Sequence, residues 1–203
     1  MIIDLHVHTS QRSACASDED VEMIQRAIQR GLDGIAITDH DKLVPQDRLR
    51  FLNDKFKPFR VFTGIEVRVT EPAGMDFLVI GLHDERLENM TDYPALLSFV
   101  RRNGGYIIWA HPYRWGTSPA DIRKPPDAVE IRSSNIPPED SGKIEALAKR
   151  WGCAAVSASD GHSTETVGRY ALRFAAPVST DEELVEQLRK GAFETWSAPD
   201  SDG

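Results

Sequence analysis

Seven short runs of apolar and β-branched residues recur along this chain, and helix-patterned or loop segments fill most of the intervals between them. They read IIDLHVH, GIAITDH, RVFTGIEVRV, DFLVIGLH, YIIWAHP, AVEIRS and AAVSASDGH. Strands alternating with helices are the rhythm of a parallel sheet, whose crossovers need a dozen or more residues to bring the chain back. The expectation is therefore an α/β protein, barrel-like or doubly wound. At 203 residues the chain is long enough for one sizeable core, and no composition break divides it. Residues 1–197 are read as a single domain and residues 198–203 as a flexible C-terminal tail.

The helical intervals carry their own punctuation. In SDEDVEMIQRAIQRGLDG, Ser17 and Asp20 resemble a capping box, Val21, Ile24, Ala27 and Ile28 form an apolar set, and Gly31 is a stop. YPALLSFVRRNGG turns Leu97 and Val100 toward the core, and PEDSGKIEALAKRWG does the same with Ile144, Leu147 and Ala148. Thr180 and Glu183 cap a last helix through Leu184, Val185 and Leu188, ended by Gly191. Between Pro45 and Pro58 a further helix has no defined boundaries.

Charge and apolar patterning exclude several classes. With 32 acidic and 24 basic side chains the net charge is −8, which gives no global attraction for duplex nucleic acid. No run approaches the ~18–20 apolar residues that span a bilayer. Cys15 and Cys153 are too few for a disulfide framework, and the chain opens directly in a strand without a secretory signal. These features predict a cytoplasmic protein that does not associate with membranes.

The opening strand asks for chemistry. Side chains alternate with period two, so Asp4, His6 and His8 share one face while Ile3, Leu5 and Val7 share the other. All six histidines, His6, His8, His40, His83, His111 and His162, fall at or just after the end of a predicted strand. In α/β barrels the loops after the strands converge at one mouth, where residues distant in sequence build a single site. Carboxylates accompany them: Asp39 precedes His40, Glu66 ends GIE, and Asp160 stands two residues before His162. Imidazoles with carboxylates suit divalent ions, and a residue such as Asp4 or Asp39 beside a ligand suits an orienting role. Arg114, three residues beyond His111, reads either as a phosphate clamp or as a surface arginine packed along Trp115. Glycine-rich phosphate loops and a nucleophilic serine triad are both lacking.

In their order, HVH at 6–8, TDH at 38–40, GIE at 64–66, GLH at 81–83, AHP at 110–112 and SDGH at 159–162 resemble the motifs of the PHP family, the polymerase and histidinol phosphatase domain. The resemblance spans nearly the whole chain. It implies a distorted seven-stranded (β/α) TIM-like barrel with two or three divalent ions (zinc, manganese or iron) at its mouth. It also implies that His6, His8, Glu66 and Asp160 surround one ion, and that Glu66 bridges to a second held by His83 and His111. By the same resemblance His40 and His162 would address a third, and both are candidates for moving protons. The loop SQRSACASDED departs from the family, having no Asp or His from Ser13 to Cys15, which leaves the Cys15 thiolate as a candidate third-site ligand.

The expected activity is that of a metal-dependent phosphoesterase using metal-bound hydroxide on a small phosphorylated metabolite or nucleotide. A short-oligonucleotide exonuclease and a non-catalytic, metal-stabilised binding module are the alternatives.

Overall fold

The structure, a computed structural model, describes residues 1–71 and 74–199. Of the expected tail, residues 200–203 lie outside the described residues, whereas the Ala198 amide donates to the Arg169 carbonyl at 2.9 Å. Among the described residues nine strands join in one sheet: β1 (Ile2–Val7), β2 (Gly34–Ile37), β3 (Arg60–Val69), β4 (Met75–Ile80), β5 (Tyr106–Trp109), β6 (Ala128–Arg132), β7 (Ala154–Ser157), β8 (Tyr170–Phe174) and β9 (Phe193–Ser197). Their spatial order is β7-β6-β5-β4-β3-β2-β1-β8-β9. Five α-helices accompany them among the described residues: α1 (Asp20–Gln29), α2 (Gln46–Lys55), α3 (Tyr93–Arg102), α4 (Ser141–Trp151) and α5 (Asp181–Lys190). None is long and apolar enough to cross a membrane.

The seven runs read from the sequence are β1 to β7, and the sheet they form is barrel-like. Its near-closure depends on two different neighbours of β1. The start of β1 pairs antiparallel with β8, Ile3 opposite Leu172. Its end instead meets the segment after β7: the His8 amide donates to the Gly161 carbonyl at 2.9 Å, and the Gly161 amide to the His6 carbonyl at 3.0 Å. Gly161 is needed there, because a Cβ would lie 2.7 Å from Ser159 Oγ and 2.8 Å from Val167 Cα. Ser157 Oγ on β7 donates to the Ala171 carbonyl on β8 at 2.7 Å. The strand count of nine therefore reflects a hairpin, β8–β9, wedged between the first and last of the seven expected strands.

One strand departs from the parallel rhythm. β4 runs antiparallel to both β3 and β5, Glu66 pairing with Leu78 and Val79 with Ile107. Only residues 70–74 connect β3 to β4, far short of a parallel crossover. The mouth of the barrel thus receives the start of β4, and the end of β4 lies beside the start of β3, where the Gly81 amide donates to the Thr63 carbonyl at 2.9 Å.

Packing separates the two ends. Ile3, Leu5, Phe62, Leu78, Ile80, Ile108, Val156 and Leu172 fill the interior, and α5 adds Leu184, Val185 and Leu188 to the same cluster. That amphipathic helix plugs the end opposite the mouth. Thr180 Oγ1 caps it by accepting from the Glu183 amide at 3.2 Å, and Gly191 ends it at φ 62°, as the sequence pattern predicts. Burying three such side chains stabilises the fold by several kcal/mol, at about 1.5–3 kcal/mol each. The predicted inward residues of α3 and α4, Leu97, Val100, Ile144, Leu147 and Ala148, are all buried.

The start of α1 differs from the sequence pattern. Its cap is Glu19, whose amide donates to Glu22 Oε2 at 2.9 Å. Ser17 is held by the loop after β7, its amide donating to the His162 carbonyl at 2.9 Å. Asp20 is buried and pairs with Arg48 of α2 at 2.6 Å, so a tertiary ion pair takes the carboxylate that local spacing assigns to a cap.

Candidate metal centre

Strand β1 carries His6 and His8 into the mouth. His6 Nδ1 lies 2.9 Å from Glu130 Oε1, and His8 Nδ1 lies 3.3 Å from Ser13 Oγ. Each contact suits a ring that donates from Nδ1, which turns the Nε2 lone pair inward. There His6 Nε2 sits 3.4 Å from Glu66 Oε2 and 3.3 Å from Asp160 Oδ1. His8 Nε2 sits 3.2 and 3.3 Å from the same two oxygens. All four atoms are buried and lack a hydrogen-bond partner among the described residues.

Four acceptor atoms facing one another without donors are costly unless a proton or cation lies among them. Tetrahedral zinc, with bonds of about 2.0–2.1 Å, spaces its ligands by roughly 3.3–3.4 Å, which is the spacing found. Two imidazoles and two carboxylates are also a suitable donor set, so these residues fit a divalent ion.

Further donors surround this group. His111 Nε2 lies 3.1 Å from Glu66 Oε1 and 3.9 Å from Asp76 Oδ2, so Glu66, Asp76 and His111 form a second group that shares Glu66 with the first. His8, His40 and His162 form a third. His40 Nδ1 is 3.0 Å from Glu66 Oε2, and His162 Nδ1 is 3.0 Å from the Asp160 carbonyl oxygen. The third group stands at the rim, the His40 and His162 side chains being 35% and 26% exposed.

Electrostatics divides the histidines the same way. Burial opposes charge on His6, but Asp160, Glu66 and Glu130 hold it well above its ordinary value. Against the same burial, the adjacent Asp160 and Glu66 carboxylates raise His8 to about 9. His40 is lowered to about 4 by burial with His8, His6 and His162 nearby, although Glu66 opposes the shift, and His162 is lowered by burial and His8. The inner rings therefore take a proton where a cation is lacking, and the rim rings stay neutral near pH 7.

Several sequence-predicted residues stand elsewhere. His83 joins no donor group among the described residues: its Nε2 lies 3.0 Å from the Val44 carbonyl oxygen, because β4 delivers it to the end of the sheet away from the mouth. Cys15 is exposed, is outside every such group, and has its thiol pushed up by burial and by Glu66, Asp160 and Asp39, which disfavours a thiolate. Asp4 touches no imidazole. Its carboxylate accepts from the Ser159 amide and hydroxyl, the Gly168 amide and the His6 amide, tying β1 to the SDGH turn. Burial outweighs those bonds and raises Asp4 to about 6.

Asp39 has a supporting role. It accepts from the Thr9 amide (2.6 Å), Arg12 Nε (2.7 Å) and Ser13 Oγ (2.8 Å), and thereby fixes the serine against His8. Arg114 packs along Trp115, its guanidinium 4.8 Å from that ring centroid, and lies 3.7 Å from Asp160 Oδ2 at the edge of the donor cluster.

Sequence reasoning missed Asp76, Glu130 and Ser13. Glu130 also accepts from the His111 amide at 2.9 Å, so one buried carboxylate positions both histidines. Asn135 Nδ2 donates to Asp160 Oδ2 at 2.6 Å. The available signals were a lone Glu inside the apolar run AVEIRS and a lone Asp opening DFLVIGLH. Backbone conformation marks the same place, since His111 (φ 29°) and Asp160 (φ 49°) both lie outside the usual region for residues with a Cβ. Such residues cost about 1–3 kcal/mol each and persist where surrounding contacts impose them.

Fold and site together define an α/β barrel whose mouth carries a donor set for divalent cations. The PHP domain model matches residues 4–114, and the model of the PHP-associated region matches residues 138–193. The chain belongs to the PHP family. A probable phosphatase of Caldanaerobacter subterraneus is 26% identical, the match covering 91% of this chain and 86% of that protein. Among solved structures, a two-domain protein of Bacteroides vulgatus, described as containing a predicted PHP-like metal-dependent phosphoesterase, superposes with a TM-score of 0.73 at 16% identity. That match covers 98% of this chain but only 65% of the other. A lesion-specific endonuclease of Pyrococcus furiosus gives a TM-score of 0.70 at 17% identity, over 96% of this chain and 57% of that one. The two structural likenesses show the fold.

Proposed function

We propose that this protein hydrolyses a small phosphorylated metabolite or nucleotide at the mouth of the barrel. It is a PHP-type metal-dependent phosphoesterase, a hydrolase acting on phosphate esters. The observation that carries the reading is the convergence of His6 Nε2, His8 Nε2, Glu66 Oε2 and Asp160 Oδ1, four buried atoms without partners. His6, His8, Glu66 and Asp160 would hold one ion, and Glu66 would share in a second. Such ions supply Lewis acidity, lowering the pKa of water and neutralising phosphoryl oxygens.

The protein's own groups do the rest. Glu130 and the Asp39–Ser13 pair fix the two inner rings, so that their Nε2 atoms stay aimed into the site. His40 and His162, held neutral at the rim, are placed to accept a proton from water or pass one to the departing alkoxide. Arg114 beside Asp160 presents its guanidinium at the edge of the cluster and meets a phosphate oxygen of the substrate.

The test is to chelate the purified protein, reconstitute it separately with manganese, zinc or iron, and assay panels of phosphomonoesters and phosphodiesters. Turnover that disappears on chelation and returns with metal is expected. No metal-dependent turnover on either panel would instead leave a binding module.

A further inference from the structure

The four donor groups in the mouth differ in composition, and one of them, His6, His111 and Asp160, offers two imidazoles and one carboxylate. His6, His8 and Glu66, with Asp160 alongside, offer two imidazoles and two carboxylates; His8, His40 and His162 offer only imidazoles; Glu66, Asp76 and His111 offer two carboxylates and one imidazole. Asp76 is 3% exposed, its Oδ2 lies 3.9 Å from His111 Nε2, and its Oδ1 has no hydrogen-bond partner among the described residues. Strand direction explains why this residue is here: antiparallel β4 begins at the mouth, one residue before Asp76, and carries His83 away.

We infer that Asp76 is a direct cation ligand, and that it makes the Glu66–Asp76–His111 position the least zinc-selective in the mouth, the one that takes Mn²⁺ when the two metals compete. The inference rests on the proposed metal-dependent reading but on no substrate. Carboxylate oxygens suit hard ions such as Mn²⁺, whereas each imidazole added to a site favours zinc.

A rival explanation makes Asp76 the partner of Arg68. Arg68 Nη1 approaches Asp76 Oδ1 only to 3.7 Å, forms no hydrogen bond with it, and belongs to a side chain 46% exposed. That cation screens the carboxylate without satisfying it. Oδ1 is thus left without a completed ion pair, and the other oxygen, Oδ2, is the one that faces His111.

Competition binding separates the two. Metal-stripped protein is titrated with Mn²⁺ and Zn²⁺, following free Mn²⁺ by electron paramagnetic resonance and bound metal by elemental analysis. Asp76→Asn should weaken one Mn²⁺ position by about tenfold or more while zinc at His6 and His8 is retained. Asp76→His should raise the zinc-to-manganese affinity ratio of that position by a similar factor, and His83→Ala should lose no ion. A folded Asp76→Asn protein with wild-type Mn²⁺ affinity and stoichiometry would overturn the inference. If that variant does not fold, an unchanged metal ratio in folded Asp76→His does so, as does loss of an ion in His83→Ala. Wild-type protein that binds no divalent ion would also remove the metal-dependent reading, whereas ions bound without regard to Asp76 remove this inference alone.

Discussion

His83 and His111 each follow a strand of the same sheet, in the similar settings GLH and AHP, yet only one of them enters the donor cluster. The reason is direction. β5 runs toward the mouth and delivers His111 against Glu66, whereas β4 runs away from it and leaves His83 under the Val44 carbonyl. A histidine at the end of a strand is thus a site candidate only when its strand points toward the mouth.

Substitutions at the mouth and at the other end of β4 test that contrast. His8→Ala should have the largest effect, removing a direct donor to the inner group. Bound metal should fall, and kcat should drop by more than about a hundredfold, beyond the range of a supporting residue. Elemental analysis beside kinetics checks both, and a folded, metal-depleted variant with wild-type turnover would sink the mechanism. Glu130→Gln keeps the shape but weakens the hold on His6, so metal affinity should fall by about 10–100-fold, as a competing chelator would report. Arg114→Ala should raise KM by about tenfold with kcat little changed, if its contact is equally strong in ground and transition states.

Protonation gives a smaller effect, with opposite signs for the inner and rim rings. In metal-stripped protein the folded-state pKa of His8 is raised to about 9, so its stabilisation is present below about 6.5 and lost as pH rises toward 9. That of His40 is lowered to about 4, so its neutral form contributes stability that is lost as pH falls from about 6.5 toward 4. Denaturant unfolding at several pH values should show both limbs, and His40→Asn should flatten only the acidic one. His83→Ala should do least: it forfeits one hydrogen bond, about 1 kcal/mol, and leaves activity and bound metal unchanged. Loss of activity there would undo the comparison itself.

Much of the site was legible because β1 states its chemistry locally. Period-two alternation alone puts His6 and His8 on one face, and the recurrence of histidines after strands marks the mouth. The seven strand runs and the inward residues of α3, α4 and α5 were legible for the same reason, since periodicity is a property of neighbouring residues. Asp20 was misread because a local cap and a distant arginine compete for the same carboxylate, and the arginine on α2 wins.

What the sequence by itself determined is the stock of donors and the spacing that turns them toward one side of each strand. Tertiary structure decided which of them meet. Glu130 reaches His6 across 124 residues, and Ser159 reaches Asp4 across 155. The replacement of His83 by Asp76 beside His111 follows from a five-residue connection that forces β4 to reverse. Direction, and with it the composition of the second donor group, is a property of the nearly closed sheet: all but its two end strands, β7 and β9, have hydrogen-bonded strand neighbours on both sides, and no single run of residues records which neighbours those are.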